Sequence, residues 1–213
     1  MACSHRFSDW LYLPPGLVHW EVNTLIVGTF NPEWDVNNYA SWFYGRTDNN
    51  YFWEVLPAIY HSPSLRKPYN TGEWISFCEK NGIALTDLIY SIDDADEQNE
   101  SHRKIIGGNH FSDSALIGNF KKITWTSIVE ILRQRPSIHH VYLTRSASGI
   151  WARKWNVVEE YCKQQGITCN TLLTPSGNAR FQYTKEMKQL YPALGNFIEA
   201  MWKQKWHSLK DYS

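Results

Sequence analysis

The sequence predicts an α/β fold built on a mostly parallel, four-stranded central sheet flanked by helices. Three observations predict it. Four short, β-prone apolar runs punctuate the chain, turn residues bound each run, and stripes of helical period lie between them. Strands that alternate with helices are joined by crossovers, which pair them in parallel. A length of 213 residues fits one domain, 1–213, with a core large enough to need no disulfide or metal support.

The first run, Thr24–Phe30, is nearly continuously apolar, as a strand covered on both faces is. Phe52, Val55, Leu56 and Ile59 then follow i, i+3, i+4, i+7 spacing, with Asn49 or Asn50 as N-cap. Pro57 inside this pattern should kink or shorten the helix, because it has no N–H to donate. Trp74, Phe77 and Cys78 line a second helix that stops at Asn81-Gly82. The second strand run is Ala84–Tyr90. Ser127 and Glu130 are spaced for a capping box ahead of Ile131 and Leu132. The third run is Ile138–Thr144. Trp151, Trp155, Val158 and Cys162 stripe the helix after it, which ends at Gly166. The fourth run, Thr168–Thr174, is followed by a last helix on Leu194, Phe197, Ile198 and Met201, with Pro192 near its start.

Composition narrows the function. Formal net charge is zero, which argues against strong indiscriminate binding to nucleic acid but allows a local basic patch. Residues 91–100, SIDDADEQNE, carry five acids and no base, and read as a solvated loop. The segment from Arg180 onward is basic; it is either a solvated helix face or a surface for phosphates. Aromatic residues make up 15% of the chain, so rings either fill the core or offer stacking surfaces for a flat ligand. The four cysteines are scattered, with no C-x-x-C pair, so no metal site and no cofactor is expected. The N-terminus lacks an apolar signal region and no 18-residue apolar run occurs. The expectation is therefore a cytoplasmic protein in a reducing compartment, without a membrane partner.

Ligands of parallel α/β sheets bind outside the carboxyl ends of the strands. That rule assembles one rim from four segments: GTFNPEWD, the residues from Tyr90 onward, TRSASG (Thr144–Gly149) and TPSGNAR (Thr174–Arg180). The last two are small, polar and glycine-bearing, so their backbone N–H groups can approach a phosphate or a carbonyl. P-loop, dinucleotide and G-x-S-x-G signatures are absent. SWFYGRTDNNYFW (Ser41–Trp53) sets six aromatics around a polar centre. It is either a ring-anchored loop or a slot in which rings stack a base and amides read its edge or hold a water.

Three of these segments, in order and suitably spaced, resemble the uracil-DNA glycosylase superfamily. LIVGTFNP resembles its strand-then-turn motif. FYGRTDNNYFW resembles a stretch of the mismatch-specific and hypoxanthine-DNA glycosylase branches. TPSGNAR is similar to the loop that enters the minor groove in the mismatch-specific and thymine branch. The resemblance spans roughly Leu25 to Arg180. It implies a three-layer sandwich and a monomeric, monofunctional glycosylase of base-excision repair, acting on DNA that holds a damaged or mismatched base, uracil or hypoxanthine. It also implies residue roles. Asn50 and Asn31 are the catalytic candidates. Gly28, Thr29, Phe30, Phe43, Tyr44 and Asn49 line the base pocket, Tyr44 by stacking. Ser176, Gly177, Asn178 and Arg180 contact DNA, Arg180 as the plug for the vacated space.

Two alignments stay open. Gly-Thr-Phe-Asn-Pro is one residue longer than the family's Gly-x-Asn-Pro, so Phe30 and Asn31 compete for the catalytic slot. One extra residue before Phe52 likewise leaves Asn49 beside Asn50. TPSGNAR has no histidine, so polarisation of the leaving base falls to backbone N–H groups or Asn178. Glu33 and Asp35 are nearby acids that either cap the turn or act as a general base. Two rival readings are a non-catalytic nucleic-acid or nucleobase binder on the same fold, and a small-molecule enzyme using the glycine- and serine-rich rim loops.

Overall fold

The computed structural model describes residues 2–11, 18–34, 40–107 and 112–207. Asp35 lies outside them. Strand β1 (Cys3–Ser4) and helix α1 (Ser8–Leu11) precede β2 (Thr24–Gly28). Helices α2 (Phe52–Ile59) and α3 (Thr71–Lys80) lead to β3 (Ile83–Asp87) and β4 (Ile89–Ile92). Then come α4 (Glu100–Gly107), α5 (Asp113–Asn119), β5 (Ile123–Trp125), α6 (Ile128–Gln134), β6 (His140–Leu143) and α7 (Ile150–Gln165). Strand β7 (Thr168–Thr171), a 3-10 turn (Gly177–Phe181), α8 (Lys185–Leu190) and α9 (Leu194–Lys203) follow.

The central sheet has the order β3-β2-β6-β7 and every pair in it is parallel. All residues of β2, β3 and β6 are buried, as strands covered by helices on both faces must be. The chain passes from β2 outward to β3, then returns to the other side of β2 to form β6. The crossover direction therefore reverses between β2 and β6, which opens a crevice at their carboxyl ends. Gly28 pairs with Asp87 and Val27 with Leu143, so these three strands end at one level.

One correction concerns the second apolar run. Ala84–Tyr90 is two strands, not one. β3 ends at Asp87; the Leu88 N–H still donates to Gly28 O (3.1 Å) and the Ile89 N–H to Thr29 O (3.0 Å). The chain then enters a separate antiparallel sheet, β1-β4-β5, which the apolar pattern did not signal. The rim residue after the second strand is therefore Asp87 and not Tyr90. A second correction concerns α6. Ser127 precedes the helix, but its hydroxyl makes no capping bond, and the Glu130 carboxylate accepts from Gln134 instead.

Pro57 does sit inside α2, and its missing donor has a structural answer. The Trp53 carbonyl, which an N–H at 57 would have taken, accepts from Leu65 N–H at 2.8 Å. The aromatic wealth goes largely into the core. Trp53 stacks on Trp74 at 4.9 Å, and both are fully buried. Their indole N–H groups donate to the Phe43 and Leu65 carbonyls. Trp202 of α9 stacks on Trp206, and Trp206 on Tyr142 of β6. Among the described residues no helix is long and apolar enough to cross a membrane, and no group of three or more side chains is placed to hold a metal.

Candidate functional site

The floor of the crevice is a buried carboxylate. Asp87 closes β3 at 2% exposure, and its Oδ2 accepts from His5 Nε2 and from Asn31 Nδ2, both at 2.7 Å. The Phe7 N–H donates to His5 Nδ1 at 3.0 Å, so the ring proton of His5 sits on Nε2 and points at Asp87. With Oδ2 holding both donors, Oδ1 is turned toward the end of β2. A Cβ on Gly28 would lie 2.2 Å from this oxygen and 2.9 Å from the Tyr44 hydroxyl. Only a glycine leaves room for both at the point where β2 stops.

Tyr44 forms the wall above this floor. It has a positive φ of 57°, which a bulky side chain adopts only when its surroundings impose it. Two contacts do so. Its ring stacks on Phe52 at 3.7 Å and 3°, and its hydroxyl bonds to Thr144 Oγ1 at 2.9 Å, at the end of β6. Burial, with the charge of Asp87 added, pushes the Tyr44 phenol well above its ordinary range. The phenol is thus a neutral hydrogen-bonding group across the physiological range.

The Asn49–Tyr51 segment zips against the loop after β7. Asn50 forms a bridge with Ser176, Tyr51 N–H donates to Pro175 O (2.7 Å), and Gly177 N–H donates to Asn49 O (2.9 Å). A Cβ on Gly177 would fall 1.9 Å from Asn49 Oδ1, so this contact also depends on a glycine. The N-cap of α2 is Tyr51, whose side chain makes no capping bond, and not Asn49 or Asn50 as the sequence pattern suggested; Asn50, one residue earlier, accepts the Phe52 N–H on its Oδ1 at 2.9 Å. That leaves Asn50 Nδ2 as the end of the amide able to reach a ligand.

A second charged group borders the first. Arg145, from TRSASG, pairs with Asp113, and Thr29 Oγ1 donates to the same Asp113 oxygen at 3.2 Å. The Arg145 guanidinium lies 3.8 Å over the Trp151 ring. Burial raises the Asp113 carboxyl above its usual range and is opposed by Arg145. Arg46 is also largely buried, which lowers it to about 10 while the charges of Asp87 and Asp113 act the other way.

Contacts thus run from Asn31 through Asp87 and Gly28 to Tyr44, and through Phe52 to Asn50, Ser176 and Gly177. Phe30 and Phe43 are buried rings that pack on His5, and Phe43 O also accepts from Trp53. Asn178 and Arg180 are exposed on the 3-10 turn, where Ser176 Oγ accepts from Asn178 N–H. Glu33 is exposed at the turn after Asn31-Pro32. Sequence reasoning passed over Asp87 and His5, and placed Thr144 and Arg145 on the rim without giving their side chains a role. A usable signal existed for Asp87: an aspartate within an apolar strand run is buried only with partners. His5 had none, because its partner is 82 positions away. An open cavity of about 550 Å³ lies away from this cluster, at the amino ends of the strands, lined by Trp20, Asn23, Gly82 and His139.

No family model matches the chain, and no curated protein matches it. Among solved structures, the chain is similar to the solution structure of a candidate uracil DNA glycosylase from Methanosarcina acetivorans. The TM-score is 0.50 at 14% identity, over 86% of this chain and 93% of that one. At that identity the likeness shows the fold: an α/β architecture with a four-stranded parallel sheet flanked by helices, like that of a uracil-DNA-glycosylase-type structure.

Proposed function

We propose that the protein is a monofunctional DNA glycosylase that hydrolyses the N-glycosidic bond of a deaminated base, uracil or hypoxanthine, flipped out of DNA. The observation that carries this reading is the acceptor oxygen Asp87 Oδ1, held against Gly28 at the switch point of the sheet. Deamination converts a ring-nitrogen acceptor of cytosine or adenine into an N–H donor. A fixed carboxylate oxygen accepts that N–H and repels the lone pair of the undamaged base, which discriminates strongly because a mismatch leaves buried polar groups unpaired. Thymine and guanine share the N–H, so they must be excluded by shape or by their pairing in the duplex.

Cleavage develops positive charge on the sugar and negative charge on the base. Asn31 donates to Asp87 through Nδ2, which leaves its Oδ1 to accept a hydrogen bond from the attacking water, whose oxygen bonds to the sugar carbon as the base leaves and whose surplus proton ends on the departed base. Asn50 uses Oδ1 on Phe52 N–H, so its Nδ2 is a donor for the departing base or its water. Amides are weak bases, and their contribution is orientation, on the order of 7 kcal/mol at best. Tyr44 stacks the base, the loop 174–180 meets the duplex, and Arg180 fills the gap; flipping costs a few kcal/mol that such contacts offset.

The test uses oligonucleotides with one uracil, hypoxanthine, xanthine or mismatched thymine, single- and double-stranded, followed by alkaline scission of abasic sites. No excision from any of them would sink the proposal. The alternative, a non-catalytic nucleic-acid or nucleobase binder, is favoured by one observation: one end of each asparagine amide and the Tyr44 hydroxyl are engaged internally. Salt-sensitive binding to the same oligonucleotides without abasic product would support it.

A further inference from the structure

We infer that Arg66 is a positioning residue for the candidate site, holding the loop that carries Asn49 and Asn50; the inference rests on the glycosylase reading for its catalytic consequence. Arg66 belongs to no rim segment. It lies beyond α2, in the stretch that leads to α3. What delivers it is the proline in α2. The Trp53 carbonyl left open at Pro57 takes the Leu65 N–H, and Trp74 Nε1 donates to Leu65 O at 2.7 Å, so the backbone next to Arg66 is fixed on both sides.

From there one guanidinium makes four contacts around the loop. Nε donates to Thr47 O at 2.7 Å and Nη2 to Asp48 O at 3.3 Å. Nη1 meets Glu54 Oε2 at 2.8 Å, and the guanidinium carbon lies 4.0 Å over the Tyr51 ring. Its side chain is only 18% exposed. Glu54 is itself seated against α9, where a Cβ on Gly195 would come within 2.1 Å of Oε1. Arg66 thus ties residues 47, 48, 51 and 54 to one planar group, and Asn50 lies inside that span. A lysine at 66 would keep the charge but lose the fork and the flat face over Tyr51. Loop residues 49–51 in turn form the strand-like bridge to 175–177. Removing the fork frees the 49–51 side of that bridge, and with it the bonds to 175–177, while leaving the Asp87 floor, which Arg66 does not touch, intact.

The experiment compares wild type, Arg66→Lys and Arg66→Ala by two readouts. The first is hydrogen–deuterium exchange, which needs no activity. The Tyr51 and Gly177 amides are expected to lose protection in both variants, while those of Ile26 and Val141 stay protected. The second is single-turnover excision from a duplex oligonucleotide whose target base wild type removes. Binding is measured on the same duplex with a 2′-fluoro target sugar, where fluorine destabilises the sugar cation and blocks cleavage. Arg66→Ala is expected to lose about a hundredfold in rate at saturating DNA, with affinity within about threefold, because misplacement by about 1 Å costs that much. Added methylguanidinium should restore part of the rate in Arg66→Ala, and Arg66→Lys should stay impaired. Unchanged exchange at Tyr51 and Gly177 would overturn the inference. So would full activity in Arg66→Lys, or a rate loss with no methylguanidinium rescue that merely tracks the melting temperature. Wild-type inactivity on every base would overturn the glycosylase reading, and the exchange measurement would still decide whether Arg66 holds the loop.

Discussion

Replacing Gly28 with alanine tests the floor of the crevice most directly. The added Cβ would sit 2.2 Å from Asp87 Oδ1 and 2.9 Å from the Tyr44 hydroxyl, where real Cβ contacts essentially never fall below 3.0 Å. Something must move by at least 0.8 Å, the difference between 2.2 and 3.0 Å. Gly28 lies within the parallel ladder, paired with Asp87, so its own backbone resists. The Asp87 side chain can yield only by lengthening its 2.7 Å bonds from His5 and Asn31. Overpacking costs about 1–3 kcal/mol, and each bond to a charged partner contributes about 1.5–3 kcal/mol. Strain shared between these routes gives a destabilisation of roughly 2–5 kcal/mol, which at about 2–4 °C per kcal/mol for a chain this long is a drop of roughly 4–20 °C. Thermal unfolding by near-ultraviolet circular dichroism would measure it. Gly118→Ala is the matched control: nothing lies within 4 Å of its Cβ, and alanine in α5 should be neutral or stabilise by about 0.5–1 kcal/mol. If Gly28→Ala melts within about 2 °C of wild type, the close packing of Asp87 and Tyr44 over β2 is wrong.

Three further outcomes are expected. Asp87→Asn keeps an oxygen for His5 and Asn31 but turns an NH2 group toward the crevice, so excision of uracil and hypoxanthine should fall by at least about a hundredfold, as it does when a site's hydrogen-bond polarity is wrong; wild-type rates in the excision assay would reject the base-reading role. Asn31→Ala and Asn50→Ala should both lose most excision with little change in DNA binding, and Asn50→Ala should also lose about 1 kcal/mol of stability from its bond to Phe52 N–H. A near-normal Asn31→Ala beside an inactive Asn50→Ala would assign the water to Asn50 instead. Because the Tyr44 phenol is raised in the folded state, its contribution is fully present below its unfolded value of 10.0 and is lost as pH rises beyond that, when the unfolded chain ionises first. The stability gap between wild type and Tyr44→Phe should accordingly narrow above pH 10 in equilibrium unfolding; parallel curves from pH 8 to 11 would count against a buried phenol.

Local patterns in the chain determined much of the scaffold. The strand at Thr24–Gly28, the stripe on α7 ending at Gly166, and Asn81-Gly82 closing α3 are each written in a few adjacent residues. Apolar period and backbone-permissive residues act over one or two turns of chain, so they are legible without the fold. The rim loops were legible for the same reason, because the carboxyl ends of parallel strands can be located once the strands are. Which residues meet at the rim was decided only by tertiary structure. Asp87 became its floor because it is the last β3 residue paired with β2, opposite Gly28, and the chain beyond it joins a separate antiparallel sheet, three residues before the apolar run ends. His5 reaches Asp87 across 82 positions, and Arg66 reaches the Thr47 carbonyl because Pro57 left the Trp53 carbonyl open to Leu65. Such contacts carry no period and no spacing. They are hydrogen bonds of buried polar groups, whose partners exist only once the sheet has brought distant segments together.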